Sequence, residues 1–187
     1  MGPNGFVPLL LVGLMMAGEA YAGRQRRPLA ERRDNGSLYV IYLLQMVSFV
    51  LAFTLWGSRH APPPRLGVWA LWAGPAVSLA GIALRSWAVR TLGNYFTYVV
   101  HVSADQAVVE TGPYRLLRHP SYTGGVLIGV GIGLSMRYGL APVIIGGGML
   151  ASYLVRIAVE EKALAEGIGE PYRAYMRRTK RLIPLIW

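Results

Sequence analysis

Five long apolar segments dominate the sequence and constrain how the chain can fold. They span residues 6–22, 38–56, 66–89, 122–136 and 140–159. A bilayer core about 30 Å thick requires roughly 20 apolar residues in a helix, and the segments approach or reach that length. Only Arg137, Tyr138 and Gly139 separate the last two, which indicates a tight helical hairpin. We therefore predict an all-α integral membrane protein with five transmembrane helices.

The charge of the chain indicates a membrane partner and no nucleic acid. Nineteen basic residues against nine acidic ones give a formal net charge of +10, which in a soluble domain would suggest nucleic-acid binding. Here the basic clusters lie between the apolar segments, and short basic loops mark the cytoplasmic side of a membrane. Five spans with the N-terminus outside place nearly every basic cluster on that side. The absence of cysteine excludes a disulfide scaffold and a zinc-cysteine site, and we predict no metal.

The first apolar segment is interpreted as a retained membrane span. Ala20, Tyr21 and Ala22 resemble the cleavage site of a secretory signal, but a signal peptide carries positive charge ahead of its apolar core. No basic side chain precedes this segment, and five arginines follow it within residues 23–36. That order of charges favours a span that stays in the membrane.

The fourth and fifth segments are rich in glycine. Gly125, Gly129 and Gly133 recur every four residues and so share one helical face, and three more glycines follow at 146–148. Small residues at this spacing let helix backbones approach closely in lipid. We expect this face to pack within the hairpin.

The first of three polar stretches covers residues 92–110. Residues 98–102 and 107–110 favour strands on either side of a four-residue turn, which predicts a small β-hairpin at the membrane surface. His101 lies on it. A single histidine in a short strand is usually a surface residue, so we give it little weight.

The second polar stretch, 111–122, is predicted to begin a helix at the membrane surface. Gly112 and Pro113 indicate a turn, and Pro120 is suited to open the fourth helical span. Arg118, His119 and Tyr122 then lie at a helix N-terminus, where free N–H groups and the helix dipole favour an anion. The alternative is an interfacial anchor, because Tyr and Arg commonly sit at the headgroup level.

The third polar stretch follows the fifth span and contains buried charge. Arg156 interrupts an apolar run, and an ionisable residue at that depth indicates function unless it snorkels to the nearby surface. Glu160 follows at i+4, so the two share a helix face and can pair. Glu161 points about 100° away from Glu160, so we expect at most one of these carboxylates to face the same partner as Arg156.

Several motifs together resemble the isoprenylcysteine carboxyl methyltransferase family of membrane enzymes. They are GPY at 112–114, RHPSY at 118–122, RIAVEE at 156–161 and GEPYRAYMRRTKRLIP at 169–184. LGNYFTYVV at 92–100 also looks like a segment of that family. The resemblance covers about residues 85–187. The N-terminal half matches the family only in being hydrophobic, and hydropathy assigns residues 1–89 to transmembrane helices 1–3. The resemblance implies a methyltransferase core at 90–187, made of an interfacial loop, the hairpin 122–159 and a cytosolic tail after that hairpin.

The resemblance implies S-adenosylmethionine as the cofactor, bound in a cytosol-facing pocket formed by the last helices and the tail. The motif positions give Arg156 and Glu160 as catalytic residues, with Arg156 on the carboxylate of the acceptor or of the cofactor. The same motif positions assign the following residues to cofactor binding: Tyr114, Arg118, His119, Pro120, Tyr122, Glu161, Tyr172, Tyr175 and Arg181. Either glutamate would accept hydrogen bonds from the cofactor amine or ribose. Which arginine faces which carboxylate stays open, as does the oligomeric state.

The implied reaction is methyl ester formation on a lipophilic acceptor, either a prenylcysteine or another lipid acid. The alternatives are N-methylation of a phospholipid, O-methylation of a phenolic lipid, an NADPH-dependent membrane reductase, and a membrane adaptor without catalysis. The chain contains 17 Arg and 2 Lys, a composition that we interpret as prokaryotic. We therefore place the protein in a prokaryotic inner membrane, with its active site facing the cytoplasm.

Overall fold

The computed structural model describes residues 6–24, 37–57, 65–96 and 107–183. Its α-helices are α1 (Phe6–Arg24), α2 (Ser37–Gly57), α3 (Ala70–Leu92), α4 (Pro120–Ser135), α5 (Ala141–Gly167) and α6 (Glu170–Arg178). Two short 3-10 helices, Gly93–Tyr95 and Gly112–Arg115, lie between α3 and α4. No β-strand forms within the described ranges, so the predicted all-α class is confirmed.

Two helices are long and apolar enough to cross a membrane, over Leu38–Gly57 and Ala141–Gly167. At 1.5 Å per residue, α5 is about 40 Å long and exceeds a bilayer core of about 30 Å, whereas α4 is only about 24 Å long. One end of α5 would therefore project past the core of a bilayer. The five predicted spans correspond to α1–α5, but the number of membrane crossings stays a prediction.

The helices pack in the order α2, α5, α4, α3, with α1 against both α3 and α4. Their shared apolar core is centred on the hairpin and includes Ile128, Ile132, Ile145 and Met149. The outer face of α2 carries exposed apolar side chains such as Met46, as a lipid-facing helix would. The predicted division at residues 89 and 90 stays a prediction, although α3 and α4 pack together across it.

Helix α4 uses glycine on two faces. A methyl group at Gly125, Gly129 or Gly133 would collide with α5, so the predicted packing of this stripe within the hairpin is confirmed. Gly124 and Gly131 face α3 in the same way, against backbone atoms. These close contacts on both sides place α4 between α3 and α5, with its first turn at the site described below.

The turn of the hairpin is fastened at the end away from that site. Arg65 and Tyr138 form an isolated antiparallel bridge. The backbone N–H of Leu66 donates to the carbonyl of Arg137 at 3.0 Å, and the Arg137 side chain donates back to the Leu66 carbonyl at 3.2 Å. These bonds join the segment before α3 to the α4–α5 turn.

The predicted β-hairpin is wrong in the part that the structure describes. Residues 107–110 form no strand, and Ala107, Val108 and Val109 line a cavity instead. Their apolar side chains therefore form part of the cavity wall and not one face of a strand. The other predicted strand, together with His101, lies outside the described residues.

Candidate active site

The site is built around the start of α4. Pro120 is the first residue of this helix and follows His119, as predicted. The segment after α5, residues 168–183, is named the tail and runs alongside the start of α4. The backbone N–H of Arg118 donates to the Lys180 carbonyl at 2.7 Å, and that of His119 donates to the Arg181 carbonyl at 3.1 Å. Main-chain bonds thus bring residues some sixty positions apart into one structure.

A buried carboxylate holds the same elements together through charge. Arg118 Nε lies 2.7 Å from Oε1 of Glu161, and Arg181 Nη2 lies 3.0 Å from Oε2. His119 Nε2 lies 3.4 Å from Oε1. The Glu161 side chain is only 5% exposed, so the two guanidinium groups neutralise a charge that water barely reaches. We name these four residues the Glu161 cluster.

Further hydrogen bonds fix the tail to the turn that precedes α4. Arg118 Nη1 donates to the Met176 carbonyl at 2.9 Å. The Tyr175 hydroxyl donates to the carbonyl of Tyr114 at 2.8 Å and to that of Leu117 at 3.2 Å. Burial raises the pKa of Tyr175, so its hydroxyl keeps the proton that these bonds require.

A cavity of about 820 Å³, including its open mouth, lies beside this structure. Its wall residues on α5 and at the start of α4 include Arg156, Glu160, His119 and Tyr122. The Tyr122 hydroxyl donates to Glu160 Oε2 at 2.7 Å, and Arg156 interacts with the same hydroxyl. The Arg156 side chain is 2% exposed. A buried cation and a carboxylate therefore meet at one point on the wall.

Tyrosines and apolar residues complete the wall of the cavity. Tyr114 and Tyr172 line it together with Tyr175, and burial raises the pKa of both Tyr114 and Tyr172. Their hydroxyls are therefore neutral at physiological pH and available as hydrogen-bond donors. Phe96 and Leu164 are among the apolar wall residues, and sequence reasoning did not select them. Phe96 lies in the LGNYFTYVV segment, which was the one available signal.

Most of the predicted site residues come together at this cavity, and three do not line it. Glu161, Arg181 and Pro120 lie behind the wall, the first two within the Glu161 cluster. The two glutamates bond to different side chains, Glu160 to Tyr122 and Glu161 to arginines, although His119 lies within 4.0 Å of both carboxylates. Direct pairing of Arg156 with Glu160 stays a prediction.

Arg85 on α3 was not selected from the sequence. Its Nη1 donates to the Ser121 carbonyl in the first turn of α4 at 3.0 Å. The side chain is partly buried and close enough to Tyr114 to affect its hydroxyl electrostatically. A basic residue near the end of a span is usually assigned to topology, which is why sequence reasoning passed over it.

Comparison with known proteins agrees with the motif resemblance. The model of the isoprenylcysteine carboxyl methyltransferase (ICMT) family matches residues 75–166. A probable protein-S-isoprenylcysteine O-methyltransferase of Oryza sativa subsp. indica is 29% identical over 117 residues, which cover 62% of this chain and 61% of the relative. The Saccharomyces cerevisiae protein-S-isoprenylcysteine O-methyltransferase is 32% identical over 115 residues, covering 60% of this chain and 48% of the relative.

A solved structure is also similar. It is that of a eukaryotic intramembrane Ras methyltransferase, isoprenylcysteine carboxyl methyltransferase, with a TM-score of 0.57 and 28% sequence identity. The similarity covers 78% of this chain and 52% of the other. The chain thus spans between about half and three fifths of the length of these relatives. All three are eukaryotic proteins, so the prokaryotic origin inferred from the arginine-rich composition is not supported. An excess of arginine over lysine does not define a lineage.

Proposed function

Because the chain is a member of the isoprenylcysteine carboxyl methyltransferase family, we propose that it transfers a methyl group from S-adenosylmethionine to a lipophilic carboxylate. The acceptor is a prenylcysteine or a similar lipid acid, and the product is a methyl ester. The observation that carries this proposal is the buried Arg156 beside Glu160 on the wall of a cavity next to the RHPSY segment. The relatives are named protein-S-isoprenylcysteine O-methyltransferases, and this favours none of the alternative reactions.

The residues around the cavity fit this cofactor. S-adenosylmethionine presents an amino-acid group, ribose hydroxyls and an adenine ring. Among the described residues, His119 Nε2 is buried and completes no hydrogen bond within the protein, since its nearest carboxylate oxygen, Glu161 Oε1, lies 3.4 Å away. The Glu160 carboxylate can accept from an amine or a hydroxyl. Tyr172 and Tyr175 add aromatic surface. We assign His119 and Glu160 to the amino-acid or ribose end, and the two tyrosines to the adenosine.

The remaining predicted cofactor residues support the cavity in different ways. Tyr122 and Tyr114 line it directly, whereas Pro120 fixes the helix start that positions Tyr122. Glu161 and Arg181 bond to each other behind the wall. We propose that these two act on ligand binding by holding the tail in place.

The chemistry requires alignment more than proton transfer. When bound, S-adenosylmethionine supplies a methyl group already activated by its sulfonium. An acceptor carboxylate is ionised at neutral pH, so no general base is needed. Arg156 would bind that carboxylate through charge-assisted hydrogen bonds and hold its attacking oxygen in place. The bond from Tyr122 keeps Glu160 oriented at the cavity wall, and the apolar wall residues exclude water.

The proposed location is a membrane with the active site at its cytoplasmic face. The two candidate spans and the exposed apolar side chains of α2 support insertion in lipid. The length of α5 lets Glu160 and Glu161 lie beyond the bilayer core while the preceding turns remain inside it. A lipophilic acceptor would then reach the cavity from the membrane, between the helices.

The decisive test is transfer of labelled methyl groups by the purified, detergent-solubilised chain. The acceptors compared are a farnesylated cysteine with a free carboxylate, its carboxamide, phosphatidylethanolamine and a lipid phenol. We expect a base-labile labelled product from the free carboxylate and none from the carboxamide. A base-stable product from phosphatidylethanolamine would instead establish N-methylation, and one from the lipid phenol would establish formation of a phenolic ether.

Ligand binding separates the remaining alternatives. S-adenosylhomocysteine should raise the unfolding temperature of the protein, because a ligand that binds only the folded state stabilises it. NADPH should not. Stabilisation by NADPH alone would favour a reductase, and stabilisation by neither would favour the adaptor.

A further inference from the structure

A column of three stacked rings connects the cavity to the interior of the α4–α5 hairpin. The rings of His119 and Tyr122 have centroids 5.5 Å apart and planes 12° apart. The Tyr122 and Tyr153 rings follow at 4.7 Å and 15°. His119 and Tyr122 line the cavity, whereas Tyr153 does not. The column thus begins at the ligand space and ends in the helix core.

Tyr153 is held in place by its surroundings. Its side chain is 5% exposed, and it lies on α5 three residues before Arg156. A methyl group at Gly125 would come within 2.8 Å of Tyr153 Cε2 and would also collide with the hydroxyl. The glycine therefore leaves the space that the Tyr153 ring occupies. This gives Gly125 a task beyond the close packing of two helices.

The stack constrains the ring that contacts Glu160. The Tyr122 ring stacks against both His119 and Tyr153, so turning this ring would break two stacking contacts. Its hydroxyl donates to Glu160 at 2.7 Å. The direction of that bond consequently depends on Tyr153, although Tyr153 does not line the cavity.

We propose that Tyr153 is a positioning residue, which acts through Tyr122 to fix the Glu160 carboxylate for ligand binding, and that Gly125 sets the position of its ring. The proposal rests on the proposed function, since it takes S-adenosylmethionine and its demethylated product as the ligands of the cavity. The ring of Tyr153, and not its hydroxyl, carries this task.

The first test measures affinity for S-adenosylhomocysteine by calorimetry on the detergent-solubilised full chain. We expect Tyr153→Leu to raise the dissociation constant roughly tenfold, the equivalent of losing one aromatic contact. Tyr153→Phe keeps the ring and should stay within about twofold of the wild type. The KM for the methyl acceptor should change by less than about twofold in either variant, because the acceptor carboxylate is assigned to Arg156 and not to Glu160.

The second test needs no ligand. In protein carrying ¹³C-labelled tyrosine rings, the Tyr122 signal is assigned from its loss in Tyr122→Phe. That signal should move in Tyr153→Leu and in Gly125→Ala, and should stay in place in Tyr153→Phe. Tyr138→Leu is the matched control, since it removes an equally buried tyrosine at the hairpin turn without touching the column.

The outcomes that overturn the proposal are distinct. Wild-type affinity in Tyr153→Leu would show that the ring is dispensable, and equal losses in the Leu and Phe variants would assign the effect to the hydroxyl. An equal loss of affinity in Tyr138→Leu would show that losing any buried tyrosine weakens binding by destabilising the protein, and that the stacked rings have no specific role. If the wild type binds no S-adenosylhomocysteine, the proposed function fails, while the tyrosine signals still decide whether Tyr153 holds Tyr122.

Discussion

Glu160 and Glu161 are adjacent in the sequence but belong to two different regions of the site. Glu160 faces the cavity and accepts a hydrogen bond from Tyr122. Glu161 faces the tail and is bound by Arg118 and Arg181. Consecutive residues of a helix point about 100° apart, so a pair of glutamates can serve both regions at once. The Glu160 carboxylate is accessible to a ligand in the cavity, whereas the Glu161 carboxylate is bound by side chains of the protein itself.

The two carboxylates also differ in their contact with water. The Glu160 side chain is 28% exposed and that of Glu161 is 5% exposed. A buried charge is tolerated only with its partners in place, whereas a more exposed one tolerates change. Substitution of Glu160 should therefore first affect ligand binding and catalysis, and substitution of Glu161 should first affect stability.

The largest effect is expected from Arg156→Ala on the cavity side. Loss of the guanidinium removes the group proposed to hold the acceptor carboxylate, and the rate of methyl transfer should fall about a thousandfold. The measurement is kcat with the farnesylated cysteine acceptor, on protein shown by size-exclusion chromatography to be folded. Arg156→Lys keeps the charge but loses the planar fork, so it should recover part of the rate. Unchanged activity in Arg156→Ala would remove this residue from the site.

Glu161→Gln tests the tail side. It leaves Arg118 and Arg181 without their shared counter-charge, and breaking a buried ion pair costs about 3 kcal/mol. The unfolding temperature of the solubilised protein should fall by about 10 °C, and ligand binding should weaken with it. Preserved thermal stability combined with lost affinity would contradict this, and would mean that Glu161 contacts the ligand itself, as the motifs alone suggested.

Glu160→Gln is the matched substitution on the neighbouring residue. It removes a charged acceptor from the cavity wall, and hydrogen bonds to charged groups contribute about 1.5–3 kcal/mol. The affinity for S-adenosylhomocysteine should fall about ten- to a hundredfold, while the unfolding temperature stays within about 2 °C. A fall in unfolding temperature as large as that of Glu161→Gln would contradict the proposed division, because both glutamates would then be needed for stability.

Local features of the fold could be predicted from the sequence because they depend on neighbouring residues. Pro120 opens α4 as expected, since its fixed φ suits a first helical position. The end of α5 was not found, because hydropathy marks where a membrane ends and not where a helix ends. This helix continues through polar residues to Gly167, eight residues beyond the predicted limit at 159.

The arrangement of charges depends on contacts that no local pattern encodes. Arg118 and Glu161 are 43 positions apart, and they meet because backbone bonds between the tail and the start of α4 bring the tail back. The sequence therefore left open which arginine binds which carboxylate. For the same reason it gave no sign of the ion pair between Arg178 and Glu110, 68 positions apart.

That ion pair provides the smallest expected effect and isolates burial as the variable. Like the Glu161 cluster, it joins the tail region to the segment before α4, but its side chains are 58% and 40% exposed. Exposed ion pairs contribute about 0–1 kcal/mol and are screened by salt. Arg178→Gln should lower the unfolding temperature by less than about 2 °C at low salt and by nothing measurable at high salt, with unchanged affinity for S-adenosylhomocysteine. A fall in unfolding temperature as large as that of Glu161→Gln would show that an ion pair between these two segments stabilises the tail equally well whether it is buried or exposed.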